Sequence, residues 1–340
     1  MRETLVPQLA CPECGGALKL QTDEQNGAEI VTGTLSCTVC LARFPVRRGV
    51  PRMRTGMDLE GLEEVAESFS YEWKAHHAGR LETDTVFGRT ADEDWRLFTE
   101  GTGLSESELA GRRVLDVGCG SGRLTRQIAE HAGTVVGTDF NEAVDDLYAR
   151  SGQLEHMHVV QANLFALPFP AAGFDVVWSC GVIHHTPDTH AAFTSLTRHV
   201  RPGGVLYIWV YPKRFNPFRW TKDVLEAVGL RRMSPAAILR LSKAISYPSL
   251  LLHLAYRLVR KVPPLRPRGE WAERTVKPRT LGEIQMTWND ALSPRYDFRH
   301  TEEEVIGWFR QAGFTDIVAS GEPKIGVRGV APRADAPSPQ

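Results

Sequence analysis

Val114-Leu115-Asp116-Val117-Gly118-Cys119-Gly120-Ser121-Gly122 decides the fold of this 340-residue chain. Three apolar residues around an Asp read as a buried parallel strand that ends on a carboxylate. Glycines then alternate at 118, 120 and 122 before a helix expected to begin at about Ser121. Glycine tolerates φ > 0 and lets backbone approach a ligand closely. In an open α/β sheet, ligands sit at the carboxyl ends of the strands, so this loop floors a binding site. Two familiar alternatives fail. A nicotinamide fingerprint, G-x-G-x-x-G, would need its third glycine where Arg123 or Thr125 stands. A P-loop would need Gly-Lys-Ser/Thr, which does not follow.

The run does match D-x-G-x-G-x-G. It resembles the first motif of S-adenosylmethionine (SAM)-dependent methyltransferases of the Rossmann-like, class I, ubiquinone/menaquinone-methyltransferase-like superfamily. A second strand, Thr134–Thr138, ends on Asp139, where a carboxylate can accept both ribose hydroxyls of an adenosine. Val159–Phe169 resembles the adenine-binding loop, with Asn163 where the family usually has Asp; Asn both accepts and donates. Phe174–Asp188 resembles the fourth strand and its loop, and Val200–Gly204 the turn into the fifth. The resemblance runs over about 112–211 and resumes at 298–330. It implies a doubly wound α/β sheet of seven strands, mostly parallel, the last antiparallel. It also implies that Asp116, Gly118, Cys119, Gly120, Ser121 and Gly122 hold the methionine end of SAM. Asp139 would hold the ribose, Phe140 beside it would also contact the cofactor, and Asn163 and Leu164 would bracket the adenine. Ser179, Cys180 and Gly181 would pass beneath the sulfonium.

Residues 1–53 carry four of the six cysteines. Cys11-Pro12-Glu13-Cys14 and Cys37-Thr38-Val39-Cys40 form two C-x2-C knuckles, the spacing of a closed structural zinc site. Reduced, unliganded thiols or a redox dithiol are the alternatives. The end of the segment, Arg43–Pro51, resembles zinc ribbons of the Trm112-like type, which precede or partner some methyltransferases. So small a module depends on its metal to fold, and a chelator is expected to unfold 1–53 while the core stays folded.

Composition is ordinary for a soluble globular protein: 42% hydrophobic, 24% charged, net charge −1. No window reaches about 18 uncharged apolar residues, which argues against a spanning helix. The amino terminus opens no apolar signal region, so a cytoplasmic location is expected. Net charge hides an asymmetry. Tyr211–Thr280 holds 16 Lys/Arg against 4 Asp/Glu, a net of +12 that leaves −13 for the remainder. Such a segment points to an anionic partner. Lys213, Arg214 and Arg219 are expected to draw in an anionic small-molecule acceptor; RNA is the other anionic candidate.

The domain reading is a ribbon at 1–53, a linker and helices at 54–110, a core at 111–211 and 298–330, a helical basic cap at 212–297 and a disordered tail at 331–340. Phe69, Tyr71 and Trp73 in the second segment fill a core or line a lid. Thr301 and Glu304 form a capping box that starts the last helix. Prolines at 235, 248, 263, 264, 267 and 278 are expected to cut the cap into short helices. Its apolar residues, Ile238 to Leu258, either fill the cap's own core, the commoner case, or make a lipid-binding surface. Ser249–Val262, with Arg257, Arg260 and Lys261, fits attachment to a membrane surface.

Four residues are candidates for the chemistry. His184 and His185 follow the fourth strand, and either is a general base or a structural element of the pocket wall, with His185 favoured because it lies further along the loop. Trp288–Tyr296 resembles a segment that faces the pocket in related sequences, so Asp290 and Tyr296 orient an acceptor or pack the loop. The acceptor is a polar or anionic small molecule methylated at O, N or C. An rRNA or tRNA base and a SAM-binding sensor without turnover are the alternatives. The oligomeric state is not written in the sequence.

Overall fold

Strands β1 (Leu18–Asn26), β2 (Glu29–Cys37), β3 (Arg43–Arg47) and β4 (Val50–Met53) open the chain as an antiparallel meander. Helices α1 (Leu59–His77), α2 (Ala91–Thr102) and α3 (Glu106–Leu109) follow. Next come β5 (Arg113–Val117), α4 (Arg123–His131), β6 (Thr134–Asp139), α5 (Ala143–Ser151), β7 (Met157–Ala162), β8 (Phe174–Cys180), α6 (Thr189–Thr197) and β9 (Val200–Val210). The chain continues as α7 (Arg219–Ala227), α8 (Pro235–Val259), α9 (Leu281–Leu292), α10 (Glu302–Gln311), β10 (Thr315–Ala319) and β11 (Ile325–Val330). This computed structural model describes residues 1–55, 59–77, 85–86, 88–151, 154–213, 219–259, 279–320 and 325–333.

β5 lies between β6 and β8, parallel to both. Val114, Leu115 and Val117 are buried accordingly, as a strand covered on both faces requires. The chain steps outward through β6 to β7, then returns to β8 on the other side of β5. That reversal opens a crevice at the carboxyl end of β5, where the glycine loop stands. β11 runs antiparallel to β9, as expected of the last strand.

The sheet has eleven strands, not seven, in the order β1-β2-β3-β4-β7-β6-β5-β8-β9-β11-β10. β4 causes the difference. It pairs in parallel with β7, Arg52 against Gln161 and Met53 against Ala162, and so fuses the meander to the edge of the α/β sheet. The Ala10 N–H also donates to the Pro168 carbonyl at 2.9 Å. Leu5, Phe44, Val46 and Met53 share one apolar cluster with Val136, Val160, Ala162 and Phe169. An unpaired edge at β7 would expose its backbone donors and acceptors; β4 covers its carboxyl end, at Gln161 and Ala162.

Two compact units result. The first comprises Met1–Ala66, Asp94–Lys213 and Tyr296–Gln340; the second comprises Glu67–Glu93 and Arg214–Arg295. In the second, Leu230, Ile238 and Leu292 form a core with Leu241, Ile245 and Trp288 around it. Trp73 is buried, and Tyr71 packs against Ala75 and Leu239.

Three local expectations change. Helix α4 starts at Arg123 rather than Ser121, because Gly122 takes a left-handed conformation (φ +72°) at its amino end. The cap is not cut at Pro248: α8 runs through it for 25 residues. Pro235 sits at the first helical position, where a missing N–H costs nothing. Ala244 and Pro248 are both exposed, so water can reach the carbonyl that Pro248 cannot bond. The tail begins ordered, with the Ala331 N–H donating to the Gly204 carbonyl at 2.8 Å. Residues 334–340, Arg214, Arg260, Lys261 and the prolines at 263, 264, 267 and 278 lie outside the described residues. The Thr301–Glu304 capping box is present, each partner closing on the other's backbone N–H.

Candidate functional site

The glycine loop is shaped by what surrounds it. Gly118, Gly120 and Gly122 have φ of +78°, +53° and +72°. A Cβ on Gly118 would lie 2.1 Å from the Val182 side chain, and one on Gly122 would lie 2.0 Å from Leu147. Glycine is therefore required at both positions, by conformation and by space. Gly120 N–H donates to Asp139 Oδ2 at 2.8 Å, and Asn141 N–H donates to Asp139 Oδ1 at 3.1 Å. The β5 loop and the β6 loop are thus tied through one carboxylate, with Cys119 and Ser121 half-buried between them. A carboxylate offers about four acceptor positions, so these backbone N–H groups do not exhaust Asp139. Burial raises its pKa, against the backbone N–H groups of Asn141, Gly120 and Phe140.

Asp116 is buried and accepts from the Thr125 hydroxyl at 2.6 Å. Burial, with smaller contributions from the Asp139 and Asp94 charges, lifts its carboxyl to about 7 against the Thr125 hydrogen bond. A carboxyl raised above its unfolded value of about 3.9 contributes most at low pH. That contribution is lost as pH rises from about 4 through 7, and amounts to about 4 kcal/mol. Asp116→Asn is therefore expected to be more stable than the parent at pH 8 and no more stable at pH 4, measured by urea midpoints. Parallel midpoint curves for parent and variant would exclude a raised Asp116.

On β7, Gln161 Nε2 donates to the Phe140 carbonyl at 3.0 Å, and the Arg54 guanidinium lies 4.1 Å over the Phe140 ring. Asn163 ends that strand. Its Oδ1 accepts from the Phe165 N–H at 3.0 Å, which fixes the amide's orientation. Its Nδ2 is buried without a hydrogen-bond partner. A buried donor left unsatisfied costs about 1–3 kcal/mol, so this nitrogen is suited to an incoming acceptor. The Leu164 carbonyl accepts from the Ser195 hydroxyl at 2.6 Å. On β8, the Ser179 hydroxyl donates to the Val117 carbonyl at 3.1 Å, and the Gly181 N–H donates to the Trp209 carbonyl at 3.1 Å. Cys180 stands half-buried between them.

His184 and His185 lie in a single 3-10 turn, Ile183–His185, directly after β8. Their ring centroids are 4.1 Å apart, and His184 is also 4.1 Å from the Tyr211 ring. His184 is fully buried, with neither ring nitrogen hydrogen-bonded. Burial, and then the His185, His300 and Arg299 charges, hold its pKa well below the usual histidine range. The neutral form of His184 is favoured accordingly. His185 differs: its Nδ1 is 2.8 Å from the Tyr296 carbonyl, which must accept, so Nδ1 carries the proton and Nε2 is the basic nitrogen.

Tyr296 thus meets His185 through its backbone. Its hydroxyl lies against Gly61, where a Cβ would come within 2.4 Å. Asp290 belongs to the second unit, beside the buried Glu72. Burial and then the Asp290 charge push the Glu72 carboxyl well above the usual range, opposed by Asn289. Thr125, Asn141, Gln161 and Val182 were not singled out from the sequence. Thr125 and Val182 meet their partners only across the fold, while Asn141, two residues after Asp139, had a local signal as an Asx turn.

Cys11, Cys14, Cys37 and Cys40 converge, with all four sulfurs within 4.8 Å of one another. Cys11 and Cys40 are 3.6 Å apart, and Cys14 and Cys37 are 3.4 Å apart. Tetrahedral zinc with Zn–S of about 2.3 Å sets sulfurs about 3.8 Å apart, so the donor set and spacing fit a closed structural zinc site.

Residues 115–208 match the family described as methyltransferase domain, and residues 2–49 match the family described as Trm112p-like protein. The ubiquinone biosynthesis O-methyltransferase of Pseudomonas fluorescens is 37% identical over 131 residues, covering 37% of this chain and 55% of that protein. Its counterpart in Coxiella burnetii is 30% identical over 116 residues, 33% of this chain and 49% of that protein. The chain spans about half the length of the curated relatives it matches. Among solved structures, a chain from a complex between the Haloferax volcanii Trm112 methyltransferase activator and a methyltransferase is 17% identical. Its TM-score is 0.44, and the match covers 78% of this chain and 99% of that one.

Proposed function

We propose that this chain, with its methyltransferase domain at 115–208 and its Trm112-like domain at 2–49, transfers a methyl group from SAM to a polar, anionic small-molecule acceptor. The observation that carries the reading is the loop at the end of β5. Three positive-φ glycines stand there, Gly120 is tied to Asp139, and Asn163 keeps an unsatisfied buried amide nitrogen. These residues fit the donor. The glycine loop with Asp116 would hold its amino-acid end, Asp139 its ribose hydroxyls, and Asn163 Nδ2 a ring nitrogen of its adenine. Leu164 and Phe140 would supply apolar walls, and Ser179, Cys180 and Gly181 the floor.

When bound, SAM supplies a methyl already activated by a sulfonium, so the protein's part is to align a nucleophile and exclude water. His185 is our candidate general base. The Tyr296 carbonyl fixes its tautomer, so Nε2 would take the proton from an acceptor hydroxyl or amine. His184, Trp209 and Tyr211 would exclude water beside it. The Tyr296 hydroxyl remains a candidate acceptor contact, and Lys213 is an exposed cation at the end of the β9 segment; Asp290 stays a candidate within the second unit by itself. The 16 Lys/Arg of Tyr211–Thr280 support an anionic acceptor.

The test is incubation of the full chain with methyl-labelled SAM and a fractionated lysate. Label in small molecules is the expected result. Label in RNA, with salt-dependent RNA binding, would replace the acceptor class. SAM binding without transfer to any fraction would make the protein a sensor. Once an acceptor is identified, His185→Ala should lower kcat by about 10²–10⁴-fold and leave SAM affinity unchanged. An unaltered kcat removes His185 from the chemistry.

A further inference from the structure

Helix α8 has two faces of different fate. Ile238, Leu239, Ser242 and Ser246 are buried, and Ile245 packs on the core of the second unit. Arg240, Lys243, Tyr247, Leu251, Leu254 and Leu258 recur at intervals of three and four residues, so they share one face, and all six are exposed. Tyr247 is 52% exposed, Leu251 68%, Leu254 43% and Leu258 65%; Leu252, at the margin of the stripe, is 66% exposed. A monomeric surface rarely leaves four neighbouring large apolar side chains in water without a use for them.

The charges say what the face fits. α8 holds no acidic residue, and from Ala227 to Gly269 the sequence has nine Lys/Arg and no Asp/Glu. A second copy of this chain would set the same basic stripe against itself across an isologous contact, which is repulsive. A neutral apolar groove would leave the basic residues unpaired. A leucine face continued by Arg and Lys, on a helix without a single carboxylate, matches the boundary between acyl chains and anionic headgroups. No helix among the described residues is long and apolar enough to cross a membrane, so the helix would lie in the interface. We propose that the exposed face of α8 docks on an anionic lipid bilayer surface, with Leu251, Leu254 and Leu258 entering the acyl boundary and Arg240 and Lys243 meeting headgroups.

This inference is independent of the chemistry proposed above, and its test needs no turnover. The full chain is floated with vesicles of phosphatidylcholine alone and of phosphatidylcholine mixed with phosphatidylglycerol. Binding to the anionic vesicles only, weakening as salt rises, is expected. Leu251→Asp with Leu258→Asp should reduce binding by more than tenfold, because apolar contact is replaced by like-charge repulsion. Arg240→Gln and Lys243→Gln should each reduce it about fivefold. All of these positions are exposed, and an unchanged circular dichroism melt verifies that the fold is kept. The proposal is overturned if the protein floats with neither vesicle, floats equally with both, or floats undiminished when Leu251 and Leu258 are replaced. A dimer in light scattering that Leu251→Asp splits would assign the face to a second copy and overturn it as well.

Discussion

Stripping the metal from Cys11, Cys14, Cys37 and Cys40 is expected to lower the melting temperature of the whole first unit by about 10 °C or more. Sequence reasoning expects a chelator to unfold residues 1–53 and spare the rest. The sheet argues otherwise. Losing the cluster would release the two knuckles and, with them, the registers of β2, which ends on Cys37, and β3, which leaves the same knuckle. β4 is the continuation of that meander and supplies the edge of β7. Leu5, Phe44, Val46 and Met53 would leave an apolar cluster that includes Val160 and Phe169. Burying one such side chain is worth about 1.5–3 kcal/mol, so four of them cannot withdraw without cost to the α/β core. Calorimetric melts before and after chelation, with elemental analysis of the starting protein, test this. A chelated protein that melts at the parent temperature would show that the cluster holds no structural metal. Cys37→Ser should reproduce the chelated melt without added chelator.

Asp139→Ala should weaken SAM binding by about 10²–10⁴-fold. The estimate is for two hydrogen bonds to a charged group at about 1.5–3 kcal/mol each. A second effect adds to it, because the same carboxylate holds Gly120 N–H at 2.8 Å. Without it the glycine loop loses its tie to the end of β6, and the backbone that faces the ligand is no longer preorganised. Calorimetric titration of SAM and S-adenosylhomocysteine measures the loss directly. Asp139→Asn, which keeps one acceptor, should fall between the two. Unchanged affinity in the Ala variant would remove Asp139 from the site. Stability is a poor proxy here: Asp139 is half-buried with a raised pKa, so the substitution also removes a partly desolvated charge.

What the sequence reveals is what local pattern encodes. β5 and its glycines, Asp139 at the end of β6, the cysteine quartet and the Thr301–Glu304 box each declare themselves within a few residues, because turn sterics, metal spacing and helix capping are local physics. What it hides depends on partners distant in the chain. In the sequence Val50-Pro51-Arg52-Met53 is legible only as the end of the 1–53 ribbon. Only the pairing with Gln161 and Ala162 makes it part of the sheet. Asp116 reads as a ligand for the amino-acid end of SAM, and its hydrogen bond from Thr125, nine residues on, which takes one of its oxygens, is not written in the local pattern. The leucines of α8 are equally apolar whether buried or exposed, so periodicity finds the helix without telling its faces apart. Pro248 misleads for the same reason: a breaker on an exposed face is tolerated, and exposure is not a property of the local sequence.

The parallel pairing of β4 with β7 has a consequence for how the molecule behaves in a dilute cell. A zinc-binding module that met its methyltransferase domain as a separate subunit would be governed by mass action, and a shortage of either would leave bare sheet edges. Here the two are one polypeptide. The covalent link through residues 54–110 makes the contact intramolecular, so it no longer depends on total protein concentration. Dilution to nanomolar total protein would therefore leave the β4–β7 contact closed, stoichiometry is fixed at one to one by translation, and the edge is covered as soon as both segments have folded.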